Sequence, residues 1–148
     1  MSKTLYRKMF GGLLIVSCVM LFSQEPVKAE SPDDLIIIVN KKFNATSLSP
    51  TEVKRMFKKE ITTYKGMPVK PIHAKKGTVL RDLFLSKMLG MNQAAEQKFW
   101  QDMMVKKGMN PPCELGNTVR GVFSVPGAIS YCFRKDFNPA TANIVLTL

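Results

Sequence analysis

Val69-Lys70-Pro71-Ile72-His73-Ala74-Lys75-Lys76-Gly77-Thr78-Val79-Leu80-Arg81-Asp82-Leu83-Phe84 is the stretch on which the reading of this chain turns. A short apolar run ends in a basic turn, a glycine supplies a backbone angle that other residues resist, and a helical pattern of apolar positions begins directly after it. The segment therefore reads as strand, turn and helix start. Such a helix start offers free N–H groups and the positive end of the helix dipole to an anion. Lys75, Lys76 and Arg81 crowd it with positive charge where acidic residues are normally preferred, which points to a negative guest. Solvated basic side chains, partly balanced by Asp82, are the competing account of the same pattern.

Working outward, Leu35-Ile36-Ile37-Ile38-Val39 is an unbroken β-branched run, the pattern of a strand buried on both faces. Ser49-Pro50-Thr51-Glu52 has a serine cap, a proline in the first turn and a glutamate placed to close a capping box. Val53, Met56 and Phe57 follow at helical spacing. Pro68 and Pro71 each remove a ladder donor and suggest an edge strand or a short pairing. After Thr78 a helix should bury Leu80, Leu83, Phe84 and Met88 and stop at Gly90. Asn92 caps a further helix with an apolar stripe through Ala95, Phe99, Trp100, Met103 and Met104, ended by Gly108 and Pro111-Pro112. A brief helix with Val119, Val122 and Phe123, a Val125-Pro126-Gly127 turn, and strands at Ala128 to Cys132 and Ile144 to Leu148 complete the order. Strands alternating with helices predict an α/β fold of three layers with a mainly parallel sheet.

The chain has 148 residues and a formal charge of +11. That length suits one domain of ordinary size, and the charge favours acidic partners. The N-terminus restricts them further. Lys3, Arg7 and Lys8 precede an apolar run from Met9 to Phe22, and a polar segment with Val27-Lys28-Ala29 follows, the three-part layout of a secretory signal. The run is shorter than the roughly 20 residues of a spanning helix. Residues 1–29 are thus expected to be a signal peptide and 30–148 the exported domain, periplasmic or secreted. Ile15-Val16-Ser17-Cys18 has the look of a lipoprotein cleavage box, but the apolar run continues past Cys18, so lipid attachment there is the weaker reading. Loss of residues 1–29 removes four of the 22 basic residues (Lys3, Arg7, Lys8, Lys28) and one of the 11 acidic ones (Glu25), leaving a balance of 18 to 10. Export argues against nucleic acid as the partner. It also places Cys113 and Cys132 where they could form a disulfide.

Little in the sequence speaks for catalysis. His73 is the one histidine, which gives it a structural or supporting role more readily than a metal site or a nucleophile–base pair. Asp82, Glu96, Asp102 and Glu114 fall on expected helix surfaces and a loop, with no two placed for acid and base work. The methionines at helical spacing read as core filling rather than a soft-metal array. No enzyme, metal or cofactor is expected.

Three segments carry a family resemblance. Leu48-Ser49-Pro50-Thr51-Glu52-Val53-Lys54-Arg55-Met56-Phe57 resembles the "LSxxxxxxIF" helix of phosphate-binding proteins of ABC-type uptake systems. Pro71-Ile72-His73 with Gly77, Thr78, Arg81 and Phe84 resembles the segment whose helix start holds their anion. Val125-Pro126-Gly127-Ala128-Ile129-Ser130-Tyr131 is similar to their "TPGAIGY" turn and strand. The resemblance spans about Leu35 to Cys132 and is strongest to short, stand-alone relatives. It implies a single lobe of a type 2 periplasmic binding protein, binding phosphate or another small oxyanion through Lys75, Lys76, Gly77, Thr78, Val79 and Arg81. It also implies partners such as a membrane permease, a sensor or another envelope protein. Ala74, Lys75 and Lys76 stand where the family has arginine, serine and aspartate, and one lobe supplies half of the usual ligand shell. These departures imply a shallow, electrostatic site, screened by salt. The alternative is an envelope protein-interaction module that keeps the fold and has lost its ligand. A helix start plugged by the chain's own carboxylate, or turned into the core, would end the small-anion account and leave only that alternative.

Overall fold

A computed structural model describes residues 29–148, so the expected signal segment and Cys18 lie outside the described residues. One five-stranded sheet organises the rest. Its order is β5-β4-β6-β1-β7, with β1 at Leu35–Asn40, β4 at Lys70–Ala74, β5 at Cys113–Leu115, β6 at Ala128–Phe133 and β7 at Ala142–Thr147. β4 pairs parallel with both β5 and β6, while β1 pairs antiparallel with both β6 and β7. Four strands therefore point the same way and β1 alone opposes them. The expected α/β class with a mainly parallel sheet holds in strand direction, although the four pairings divide evenly.

The run Leu35 to Val39 is buried along its whole length, as its composition predicts. Leu35, Ile37 and Val39 face one core with Val53, Met56 and Phe57 of helix α1 (Pro50–Phe57). Ile36 and Ile38 face a second, smaller core with Ile72, Val122 and Cys132. Each such side chain contributes about 1.5–3 kcal/mol on burial, and the alternation of Cβ directions along a strand is what lets one strand serve two layers. The α1 cap forms as expected. Ser49 Oγ accepts from Glu52 N–H at 3.2 Å, and the Glu52 carboxylate accepts from Ser49 N–H at 2.8 Å.

A two-residue-per-strand hairpin, β2 (Thr63–Tyr64) with β3 (Met67–Pro68), leads into β4. The prolines suggested an edge or a short pairing, and the second is correct. β4 lies inside the sheet, but its ladder to β6 involves only Lys70 and Pro71, and its ladder to β5 begins at Ile72. Lys70 N–H donates to Gly127 O at 2.9 Å. The next residue, Pro71, then faces the β5 side before that strand starts, so no ladder donor is lost. Gly127 has a φ of +80°, and a Cβ there would strike the carbonyl oxygen of Pro68, so glycine is required for this join.

Helix α2 (Val79–Phe84) continues as a wider, π-helical turn over Leu85–Leu89 and ends at Gly90. Helix α3 is Gln93–Lys107 and α4 is Thr118–Ser124, with Asn92 and Asn117 as caps. α1 and α2 cover one face of the sheet and α4 the other, giving the three layers. The short edge strand β5 was not expected, since three residues after a double proline carry too little pattern to declare a strand.

Two expectations fail here. Ala95 and Phe99 do not lead the buried edge of α3, where Glu96 and Trp100 are the buried residues. Cys113 and Cys132 are unbridged, the first exposed and the second buried. They stand on β5 and β6 with β4 between them. Two strand spacings, about 9.5 Å, exceed the reach of about 7 Å between Cα atoms that a disulfide allows. Burial pushes the Cys132 thiol up to about 12, which makes it unreactive.

Candidate functional site

β4 delivers the chain to the carboxyl end of the sheet at Ala74, and residues Lys75, Lys76, Gly77, Thr78 and Val79 that follow are all exposed. Gly77 takes φ +78° with open space around it, so the turn needs glycine for its backbone angle and not for room. Thr78 then caps α2. Its hydroxyl donates to Lys75 O at 2.8 Å and accepts from Arg81 N–H at 3.3 Å. The first intrahelical bond runs from Asp82 N–H to Thr78 O. The amides of Val79 and Leu80 belong to the first turn, where the helix itself supplies no acceptor. Lys76 points to solvent with its Nζ 3.7 Å from Glu114 Oε1.

Arg81 does not join this set. The resemblance implied that it faces the ligand, yet it is 1% exposed. Its Nη1 donates to Ala74 O at 2.6 Å and its Nη2 to Glu96 Oε1 at 2.7 Å. The cause is its place on the helix. Arg81, Phe84, Leu85 and Met88 form the buried stripe, rotated by about one position from the expected Leu80, Leu83, Phe84 and Met88. A charge in that stripe needs an ionic partner, and Glu96 at the start of α3 supplies it.

The pair sits against a second buried polar group. His73 Nε2 is 3.5 Å from Glu96 Oε1, and His73 Nδ1 is 3.0 Å from the Tyr131 hydroxyl. Ala74 N–H donates to that same hydroxyl at 3.1 Å. The Tyr131 proton is then free to go to His73 Nδ1, which leaves the ring proton on Nε2, toward Glu96. Phe57 and Phe84 enclose the ring, with Phe84 stacked on Tyr131 at 3.8 Å. Burial first, then the positive charges of Arg81 and Lys76, hold the imidazole well below its usual range, so it is neutral. Burial raises the Tyr131 hydroxyl in turn, so it stays protonated. Tyr131 holds the ring through Nδ1 while Nε2 has no hydrogen-bond partner, so the ring's place rests on that one contact and on the packing of Phe57 and Phe84.

Glu96 is the residue the sequence reading missed, having been assigned to a helix surface. A signal existed, since an arginine inside an apolar helical stripe demands a carboxylate. Which acid answers it depends on how α3 folds back, and that is not local information.

Beside the turn, a cleft of about 530 Å³ opens at the carboxyl ends of β5 and β6, with Leu80, Asn117, Arg120, Asp136 and Asn138 on its walls. Open α/β sheets receive ligands at that end. Among the described residues no group of three or more His, Cys, Asp or Glu is placed to hold a metal ion, and no helix is long and apolar enough to cross a membrane.

No protein-family model matches the chain, and no curated protein matches it in sequence. Solved structures do match it in shape. Over 76% of this chain, an ABC-type phosphate transport receptor from Vibrio cholerae superposes with a TM-score of 0.60 at 15% identity. A putative phosphate ABC transporter substrate-binding protein from Clostridium perfringens, solved with bound phosphate, does so at 0.57 and 18%. PstS from Borrelia burgdorferi gives 0.59 and 16%. The match covers 45%, 44% and 46% of those three proteins, so this chain spans less than half of their length. The chain thus shares, over that part, the fold of phosphate substrate-binding proteins of ABC transport.

Proposed function

We propose that this chain is an exported, non-enzymatic binding protein, with residues 1–29 as its signal peptide and 30–148 as one binding lobe. It takes phosphate or a similar small oxyanion at Lys75, Lys76, Gly77, Thr78 and Val79. The observation that carries this reading is the exposed, glycine-shaped turn at the carboxyl end of β4, with two lysines before a capped helix start. Arg81 acts behind the turn. By binding Ala74 O it ties the last residue of β4 to α2 and sets the angle at which the turn amides face solvent. The site is open on one side, so its binding is weak and depends on charge. A permease or sensor in the envelope is the partner such a protein serves.

Calorimetry with phosphate and sulfate tests this. Heat is expected at low ionic strength, fading as salt rises, and absent in a Lys75→Ala/Lys76→Ala variant or in Gly77→Pro. No heat from either anion at low salt overturns the proposal.

A second reading, in which the lobe is a docking module without a small ligand, has one contact on its side and is the less favoured. Arg81, the arginine that the resemblance places at the ligand, already has its carboxylate, Glu96. That reading predicts capture of one defined envelope partner at high salt, together with no heat from any anion.

A further inference from the structure

A groove of about 360 Å³ runs between α3 and the segment before β5. That volume lies in the range of small-ligand sites. Trp100, Met104, Val105 and Pro111 give it an apolar wall beside Gln97 and Gln101, and Lys76, Arg81 and Glu96 close one end. Met104 is 43% exposed and Val105 86%, an apolar pair left uncovered immediately before Lys106 and Lys107. At that end, Glu114 Oε1 stands 3.7 Å from Lys76 Nζ and 3.7 Å from Arg81 Nη2. Both separations exceed a hydrogen bond, whereas Glu96 meets the same guanidinium at 2.7 Å. Arg81 therefore has one firmly held carboxylate and one loosely held one. The loose one belongs to a half-exposed side chain on the short edge strand β5.

We infer that the ligand is an amphipathic organic anion, a single oxyanionic head on an aryl or short alkyl body, and that Glu114 is the internal carboxylate it displaces. This rests on the proposed reading of the chain as a binding lobe with an anion-directed basic turn, though not on bare phosphate as its ligand, and names the ligand class of that turn. The head takes the position of Glu114 Oε1 between Lys76 and Arg81, and the body lies along Trp100 and Met104. A bare phosphate fits the head position only and leaves the apolar wall in water, without the burial that would strengthen its hold. Glu114 balances one of the two positive charges there, as Glu96 balances the other.

Trp100 is the one tryptophan in the chain, so its emission reports directly on the groove. The experiment titrates the full chain with phenyl phosphate and with inorganic phosphate, following Trp100 emission and heat. Phenyl phosphate is expected to change the emission saturably and to bind more tightly than inorganic phosphate. Glu114→Gln, which keeps the shape and removes the competing charge, should tighten it by about tenfold, and Val105→Asp on the exposed wall should weaken it by a similar factor. Circular dichroism of both variants establishes that they fold. If inorganic phosphate gives heat and phenyl phosphate binds no tighter, or if Val105→Asp leaves its affinity unchanged, the amphipathic ligand is wrong and the oxyanion turn stands. If phenyl phosphate binds and inorganic phosphate does not, the inference holds and the bare-anion reading falls. Silence of both probes in the native chain and in Glu114→Gln overturns both.

Discussion

Lys75 to Val79 and Arg81 lie within seven residues of each other, yet they obey opposite electrostatics. The turn is exposed along its length, with Lys76 60% open to solvent. Its charges are screened and cost little to hold, and the one carboxylate close to them, Glu114, is 3.7 Å from Lys76 Nζ. Arg81 is withdrawn from water and must be answered by the protein itself, through Glu96 and the Ala74 carbonyl. Basic residues of similar appearance in the sequence thus take different places, the lysines in solvent and the arginine in the architecture. The difference teaches that a buried cation is first answered by its own chain, so that only the edge it holds loosely, here the side of Arg81 toward Glu114, is left for anything else.

The sharpest way to break this contrast is Glu96→Ala. It strands the Arg81 charge in the core and should cost about 3–5 kcal/mol in urea unfolding, whereas the double change Arg81→Met with Glu96→Leu should cost far less than the single one. A loss below about 1 kcal/mol for Glu96→Ala would mean that the pair behaves like a surface contact. Tyr131→Phe comes next. It removes the acceptor of Ala74 N–H and the partner of His73 Nδ1, so it should lower stability by about 1–3 kcal/mol with the secondary structure retained.

The pH dependence follows from His73. Its proton affinity is depressed in the folded chain, so below its ordinary value near 6.5 the unfolded chain binds the extra proton and the folded chain does not. Stability contributed by this group is complete above that pH and falls as pH drops, by about 1.4 kcal/mol per pH unit at most. A His73→Gln variant should lose one proton's worth of that acid slope in urea titrations at successive pH values. An unchanged slope would show that the ring is charged in the fold. The smallest effect on stability belongs to the turn, where Lys75→Ala with Lys76→Ala should shift unfolding by no more than about 0.5 kcal/mol. The same double change should abolish anion heat, so that binding and stability separate at the turn and coincide at the cluster.

Much of the fold was legible because local signals and global placement agreed. Leu35 to Val39 could only be a strand covered on both faces, and Ser49 with Glu52 could only open a helix. Gly77 marked the turn for the same reason, since a positive φ depends on one residue and its near neighbours. The rest was illegible where a side chain's role depends on rotation by a single position. The apolar face of α2 lies one residue further on than Leu80 and Leu83 suggested, and that step carries Arg81 from solvent into the core. The same happens in α3, where Glu96 replaces Ala95 on the buried edge. Cys113 and Cys132 illustrate it for strands, as strand order and not spacing along the chain keeps them apart.

By itself the sequence determined which segments are strands and helices, where their caps and turns fall, and that a basic turn precedes a helix start. Propensity, capping and periodicity act over a few residues, and those residues are written in order. Only the tertiary structure decided which of the basic side chains is spoken for. A carboxylate fifteen residues away reaches Arg81 because α3 returns against α2, and a buried charge takes whatever partner the packing brings within hydrogen-bond distance.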